Sequence, residues 1–229
     1  STTSLIDQMA QAGGFTATKL AKARDILLQM RAEADAVEGD SGQVCNWLSF
    51  PACLCATGTR SFFIEAIKTK MFNVVSTTCG TLDHYIARSY KDYYHGAFEL
   101  DDIELGEHEF MRLGNVIVPN ASYGEIIESV VMPALEDIYN DRLKETGKTG
   151  ADAWLGFGSI HLVWELGKRI GKPNSLIYWS WKNQFPVIFQ PQKRGLSYPT
   201  ALSLSQASTT SSQVVGNFFI PALFIASML

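Results

Sequence analysis

The sequence predicts an α/β fold in which a mostly parallel sheet is covered by helices on both faces. Short apolar, β-rich runs alternate along the chain with longer segments of helical periodicity, the pattern of parallel strands joined by crossover helices. The 229 residues, 46% apolar and 18% charged, are enough to bury a sizeable core. This is an ordinary globular composition, unlike that of a disordered or collagen-like chain. The length fits one or two domains.

The elements follow in order. Thr16 can cap a first helix, whose Leu20, Ala23, Leu27 and Met30 make one apolar stripe. Turn chemistry over residues 37–42 ends it. Residues 44–55 form an apolar run that reads as a buried strand breaking into a loop at Pro51. Residues 58–70 set Phe62, Phe63, Ile64 and Ile67 among charges, as an amphipathic helix does. Residues 71–76 are short, apolar and β-rich, a buried parallel strand, and residues 82–90 turn helical. After an acidic loop over residues 99–109, residues 115–118 make another strand.

Ser122 and Glu125 have the spacing of a capping box for a helix running past Met132, Leu135 and Ile138, kinked at Pro133. Residues 159–170 form a further helix stopped by Gly171 and Pro173. Asn174 caps a short helix carrying Tyr178, Trp179 and Trp181, and residues 186–189 are the last strand. No charged side chain follows Arg194. The tail is rich in Ser and Thr, then apolar over residues 214–229, where Gly216, Asn217 and Pro221 interrupt it. A membrane span takes about 20 apolar residues, so a buried terminal element, or a segment out of its ancestral reading frame, is favoured over a tail anchor.

Charge and cysteine usage exclude several classes. A net charge of −4, from 19 basic and 23 acidic residues, excludes a general nucleic-acid binder, which carries a basic excess. Residues 1–12 show no charged stretch leading into an apolar run, so no secretory signal is expected there. Cys45, Cys53, Cys55 and Cys79 form no CxxC pair and have no His at zinc spacing, so neither a metal site nor a disulfide framework is expected. Reduced thiols in the cytoplasm fit this usage.

The segment best suited to chemistry is Ser76-Thr77-Thr78-Cys79-Gly80-Thr81, read as following one strand and opening the next helix. In an open parallel sheet, ligands sit beyond the carboxyl ends of the strands. A helix N-terminus there offers free N–H groups to a phosphate. An ordinary turn accounts for the same residues, and neither GxGxxG nor GxxxxGK[ST] occurs. His84, beside Asp83, reads as a ligand contact or as a solvated first-turn residue. His161, among Ile160, Leu162 and Val163, reads as a core or interface histidine. Cys79 at a helix N-terminus would have a lowered thiol pKa, yet no base is identifiable and small-residue packing explains it. Trp179 and Trp181 suit a core or a subunit interface rather than a stacking platform. The acidic loop is a solvated surface by default, or an attractor of a polyamine or a basic protein.

Several blocks, in order, resemble one family. They are residues 14–20 (GFTATKL), 56–60 (ATGTR), 74–80 (VVSTTCG) followed by Leu82, Asp83 and His84, and 91–96 (KDYYHG). Residues 113–120 (LGNVIVPN) with Tyr123, and 174–187 (NSLIYWSWKNQFPV), complete the set. Over about residues 13–188 the chain resembles deoxyhypusine synthase, most closely its archaeal and bacterial branch. The resemblance implies a Rossmann-like NAD-binding domain over residues 1–190, with the C-terminal part of the family domain missing, and a divergent tail over residues 191–229. It implies an NAD-dependent transferase, usually a homotetramer, that oxidises spermidine and carries the aminobutyl group as an imine on a lysine. The group then passes to a lysine of the translation initiation factor 5A precursor.

By the same resemblance Thr78, Cys79 and Gly80 line the NAD site, His84 lies near the ribose, and Ala56 and Thr57 flank the cofactor. After Val187 the family continues Pro-Ala-Leu-Thr-Asp-Gly-Ser, whereas this chain reads Ile188, Phe189, Gln190 and onward to Gly195. The Trp-Gly-Lys segment that carries the reactive lysine has no counterpart. No catalytic residue is therefore assigned. Two readings stand: an enzyme of this type with an altered or separately supplied C-terminal part, and an inactive homologue that binds NAD or pairs with an intact subunit.

Overall fold

A computed structural model describes residues 1–35, 45–154 and 156–190. The chain divides into two compact units, Ser1–Asn46 and the residues from Trp47 onward. The first unit is a helix pair, α1 (Thr2–Ala12) and α2 (Ala17–Asp35). Sequence reading did not anticipate α1. The Ser1 hydroxyl accepts from the Ser4 N–H at 3.3 Å and caps it. In α2 the expected stripe does not form a buried face: Leu20 is 48% and Leu27 55% exposed, while Ala21 is buried.

In the second unit β1 (Trp47–Phe50), β2 (Val74–Thr78) and β6 (Val187–Gln190) form a parallel sheet with β2 central. The α/β architecture is thus present. Val75 pairs with Leu48 and Val187, and Thr77 with Phe50 and Phe189. The apolar run after residue 44 yields the short strand β1. Pro51 then ends it and the chain enters a one-turn helix, α3 (Cys53–Ala56). α4 (Arg60–Lys68) follows, and its Phe63 stacks on Phe50 with ring centroids 3.8 Å apart. Between β2 and β6 lie α5 (Cys79–Tyr90), α7 (Gly124–Thr146), α8 (Ser159–Ile170) and α9 (Leu176–Lys182). Leu82, Ile86, Ile127, Val131, Leu166 and Ile177 from these helices are fully buried in one core.

The strand expected at residues 115–118 forms, but not in the parallel sheet. It is β5 (Val116–Pro119), flanked by β3 (Tyr94–His95) and β4 (Phe110–Leu113) in a separate antiparallel sheet. The tight turn at Gly114, φ 61°, lets β4 and β5 pair as a hairpin, which a parallel crossover could not do in so few residues. The acidic loop contains a helix, α6 (Asp102–Glu107), capped by Asp101, whose carboxylate accepts from the Ile103 N–H at 2.8 Å.

Two caps differ from expectation. Ser122 belongs to a 3-10 turn (Asn120–Ser122), so α7 starts at Gly124 with no side-chain cap, and it runs on through Pro133. The cap of α9 is Ser175, while the Asn174 carbonyl accepts from Arg60 at 2.8 Å. α8 spans the predicted residues and ends on Gly171 in the left-handed region, φ 63°. The turn at residues 37–42 and the tail from residue 191 lie outside the described residues. Among the described residues no helix is long and apolar enough to cross a membrane, and no cluster of His, Cys, Asp or Glu could hold a metal.

Candidate functional site

β2 ends at Thr78 and α5 begins at Cys79, so no loop separates strand from helix. The strand expected over residues 71–76 is shifted, because β-branched Thr77 pairs with both neighbouring strands and Thr78 with β6. The two threonines are therefore the strand tip rather than a turn. The Thr77 hydroxyl donates to the Phe50 carbonyl at 2.7 Å and lies 2.6 Å from the Thr81 hydroxyl. Thr78 Oγ1 accepts from the Ala52 N–H at 3.1 Å. Occupied in this way, Thr78 makes no side-chain cap to α5. A helix end of this kind is complementary to an anionic group.

Thr78, half-buried, and Cys79 and Gly80, both buried, are contiguous at this junction. Burial, reinforced by Asp83, pushes the Cys79 thiol up to about 12. The lowering expected at a helix N-terminus is overridden by desolvation, and Cys79 is a packed, protonated thiol. His84 follows on the next turn of α5, 9% exposed rather than solvated. Ala56 and Thr57 join from the end of α3. Arg88 Nη1 donates to the carbonyls of Cys55, Ala56 and Thr57 at 3.2, 3.0 and 2.5 Å. Thr78 meets this loop at Ala52, and no hydrogen bond joins it to Ala56 or Thr57. Arg88→Met keeps the aliphatic stem but strands three carbonyls, with an expected loss of about 2 to 3 kcal/mol in chemical denaturation. Unchanged stability would show that water replaces the guanidinium.

Around His84 lies a polar cluster that the sequence did not announce. Its Nδ1 is 2.9 Å from the Tyr93 hydroxyl, and its ring centroid is 5.4 Å from that of Tyr123. Burial first, then the Arg88 and Arg60 guanidiniums, hold His84 down at about 4, so it is neutral at pH 7. Asp83 is fully buried; its Oδ2 accepts from the Tyr123 hydroxyl at 3.3 Å and its Oδ1 has no partner. Desolvation raises Asp83 to about 8, with the Tyr123 bond opposing. Tyr93 leads into β3 and Tyr123 follows β5. The base of the antiparallel sheet is thus tied to α5 beside the strand tip. Asp83 adjoins His84 in sequence, and both tyrosines fall in blocks noted above, but nothing in their spacing signals convergence.

The remaining sequence candidates lie elsewhere. His161 is exposed, not in the core: its Nδ1 accepts from the Gly158 N–H at 3.2 Å at the start of α8. Trp179 and Trp181 are half-buried on α9, and Trp179 Nε1 donates to the Pro173 carbonyl at 2.8 Å.

The chain matches the profile of the deoxyhypusine synthase family over residues 4–207. It is 43% identical over 183 residues to a protein of Picrophilus torridus named a probable deoxyhypusine synthase, covering 80% of this chain and 52% of that one. Proteins of the same name from Thermoplasma acidophilum and Thermoplasma volcanium are 42% and 39% identical, each with the same coverage. The chain therefore spans about half the length of these relatives. A profile match over most of the chain, together with these identities, places it in the deoxyhypusine synthase family.

Proposed function

We propose that this chain takes part in NAD-dependent aminobutyl transfer from spermidine, or a related polyamine, to a lysine of the translation initiation factor 5A precursor. Within that reaction the β2–α5 junction holds the dinucleotide. The observation that carries this reading is the strand tip passing straight into a helix whose N-cap hydroxyl is engaged elsewhere. The donor set fits a dinucleotide: backbone at the start of α5 faces a phosphate, and His84 offers a neutral ring nitrogen to a ribose hydroxyl. When bound, NAD supplies the hydride acceptor that oxidises the carbon beside a polyamine nitrogen. Thr77 and Thr78 hold the tips of β1 and β2 together, fixing the floor of the site. Ala56 and Thr57 flank it, kept in place by Arg88. A cytoplasmic homo-oligomer, tetrameric as in the family, completes this reading.

The departure after Val187 favours a second reading, an inactive homologue that binds NAD or pairs with an intact subunit. Incubating the chain with NAD and spermidine separates the two, with calorimetry for binding, absorbance for NADH and borohydride trapping for a lysine adduct. The expected result for this chain alone is NAD binding with neither NADH nor adduct, the transfer step needing the separately supplied C-terminal part. NADH and adduct together would establish a complete enzyme and remove the second reading. No NAD binding would remove the role given to the β2–α5 junction.

A further inference from the structure

We infer that Tyr93 is a positioning residue that fixes the proton of His84 on Nε2, so that the ring presents an N–H donor to its ligand. The Tyr93 hydroxyl and His84 Nδ1 are 2.9 Å apart, and either could in principle donate. Tyr93 is buried, its phenol remains protonated, and the hydroxyl makes no other hydrogen bond among the described residues. If Nδ1 carried the proton, the phenol proton would have no protein acceptor. The phenol therefore donates to Nδ1, and the neutral ring must carry its hydrogen on Nε2. Among the described residues Nε2 has no hydrogen-bond partner, which leaves it to a ligand or water. One ring nitrogen is pinned as an acceptor and the other is left as a fixed donor.

Such a donor selects a ligand acceptor atom, a hydroxyl or carbonyl oxygen, and rejects a cationic nitrogen at the same place. That this N–H serves a cofactor ribose rests on the function proposed above; which nitrogen carries the proton does not. Long-range nitrogen–proton NMR on the 15N-histidine-labelled chain reads the tautomer directly, without cofactor. The wild-type chain is expected to show His84 as the Nε2–H form. Tyr93→Phe is expected to raise the Nδ1–H fraction while the signals of His95, His108 and His161 stay put. Tyr94→Phe, at an exposed neighbour, should leave the tautomer unchanged. NAD affinity should fall by roughly three- to tenfold in Tyr93→Phe, the loss of one well-placed hydrogen bond.

An Nδ1–H ring in the wild-type chain would overturn the inference, as would an unaltered tautomer in Tyr93→Phe. An Nε2–H ring in a chain that does not bind NAD would leave the inference standing and remove the cofactor role alone.

Discussion

Asp83→Asn is expected to stabilise the chain on the order of 3 to 5 kcal/mol near pH 7.5 and to change little near pH 4. The carboxyl is fully buried, and desolvation raises it from 3.8 to about 8. Between those values the folded chain keeps a proton that the unfolded chain has released. Stability therefore falls as pH rises, by about 1.4 kcal/mol per unit. An asparagine oxygen can still accept from the Tyr123 hydroxyl, so the substitution removes the titration and spares the one hydrogen bond.

His84 acts in the opposite direction over part of the range. Its folded value, about 4, lies below the ordinary 6.5, so between these the unfolded chain binds a proton that the folded chain refuses. Stability rises with pH there and largely offsets the Asp83 loss. Above about pH 6.5 only Asp83 still acts, and the wild-type chain should lose roughly 2 kcal/mol by pH 8. The buried thiols Cys55 and Cys79, raised to about 11 and 12 from 9.0, matter only at higher pH. Urea denaturation at half-unit steps from pH 4.5 to 8 should therefore give a plateau then a fall for wild type. For Asp83→Asn it should give a rise then a plateau. Identical profiles would mean that Asp83 is not held protonated. A buried acid with one unpartnered oxygen is a stability cost carried beside the strand tip, and packing does not explain it.

Much of this architecture could be read before any coordinates. α8 was legible because its apolar spacing, basic last turn and Gly171 agree at every level. Short apolar runs also mark two of the parallel strands, although β2 continues through Ser76, Thr77 and Thr78 and is apolar only at its start. The hairpin β4–β5 was missed because alternation places a strand without naming its partner, and Gly114 alone did not mark a turn. α6 is signalled only by Asp101 as a cap, in a segment whose run of acidic residues reads equally as solvated loop.

At the site, the order strand, small hydroxyls, glycine and helix was legible, although the hydroxyls proved to be strand. The Asp83–Tyr123 and His84–Tyr93 pairs were not, since each joins α5 to a residue brought in by tertiary folding. The thiol of Cys79 went the other way because burial, which a one-dimensional pattern does not carry, outweighs the helix terminus.

Gly167→Ala should be among the most damaging single-methyl additions available, costing about 3 kcal/mol or more. A Cβ there would lie 2.1 Å from the Ile177 carbonyl oxygen and 2.7 Å from its carbon, both backbone atoms of α9. No rotamer change relieves a backbone clash, so α8 and α9 must part along their shared face. α9 cannot move alone: Asn183 Nδ2 donates to the Ile67 and Lys68 carbonyls at the end of α4, both at 3.2 Å. The Phe185 carbonyl accepts from both Trp164 Nε1 on α8 and the Ser180 hydroxyl on α9, at 3.0 and 2.7 Å. β6 follows directly and pairs with Thr77 and Thr78, so displacement reaches the strand tip. Gly106→Ala is the matched control, since open space surrounds that position in α6. Its expected effect is a gain of up to about 1 kcal/mol from helix propensity. If denaturation shows Gly167→Ala within error of wild type, the close approach of α8 and α9 is wrong, and with it the route by which those helices hold β6 against the site.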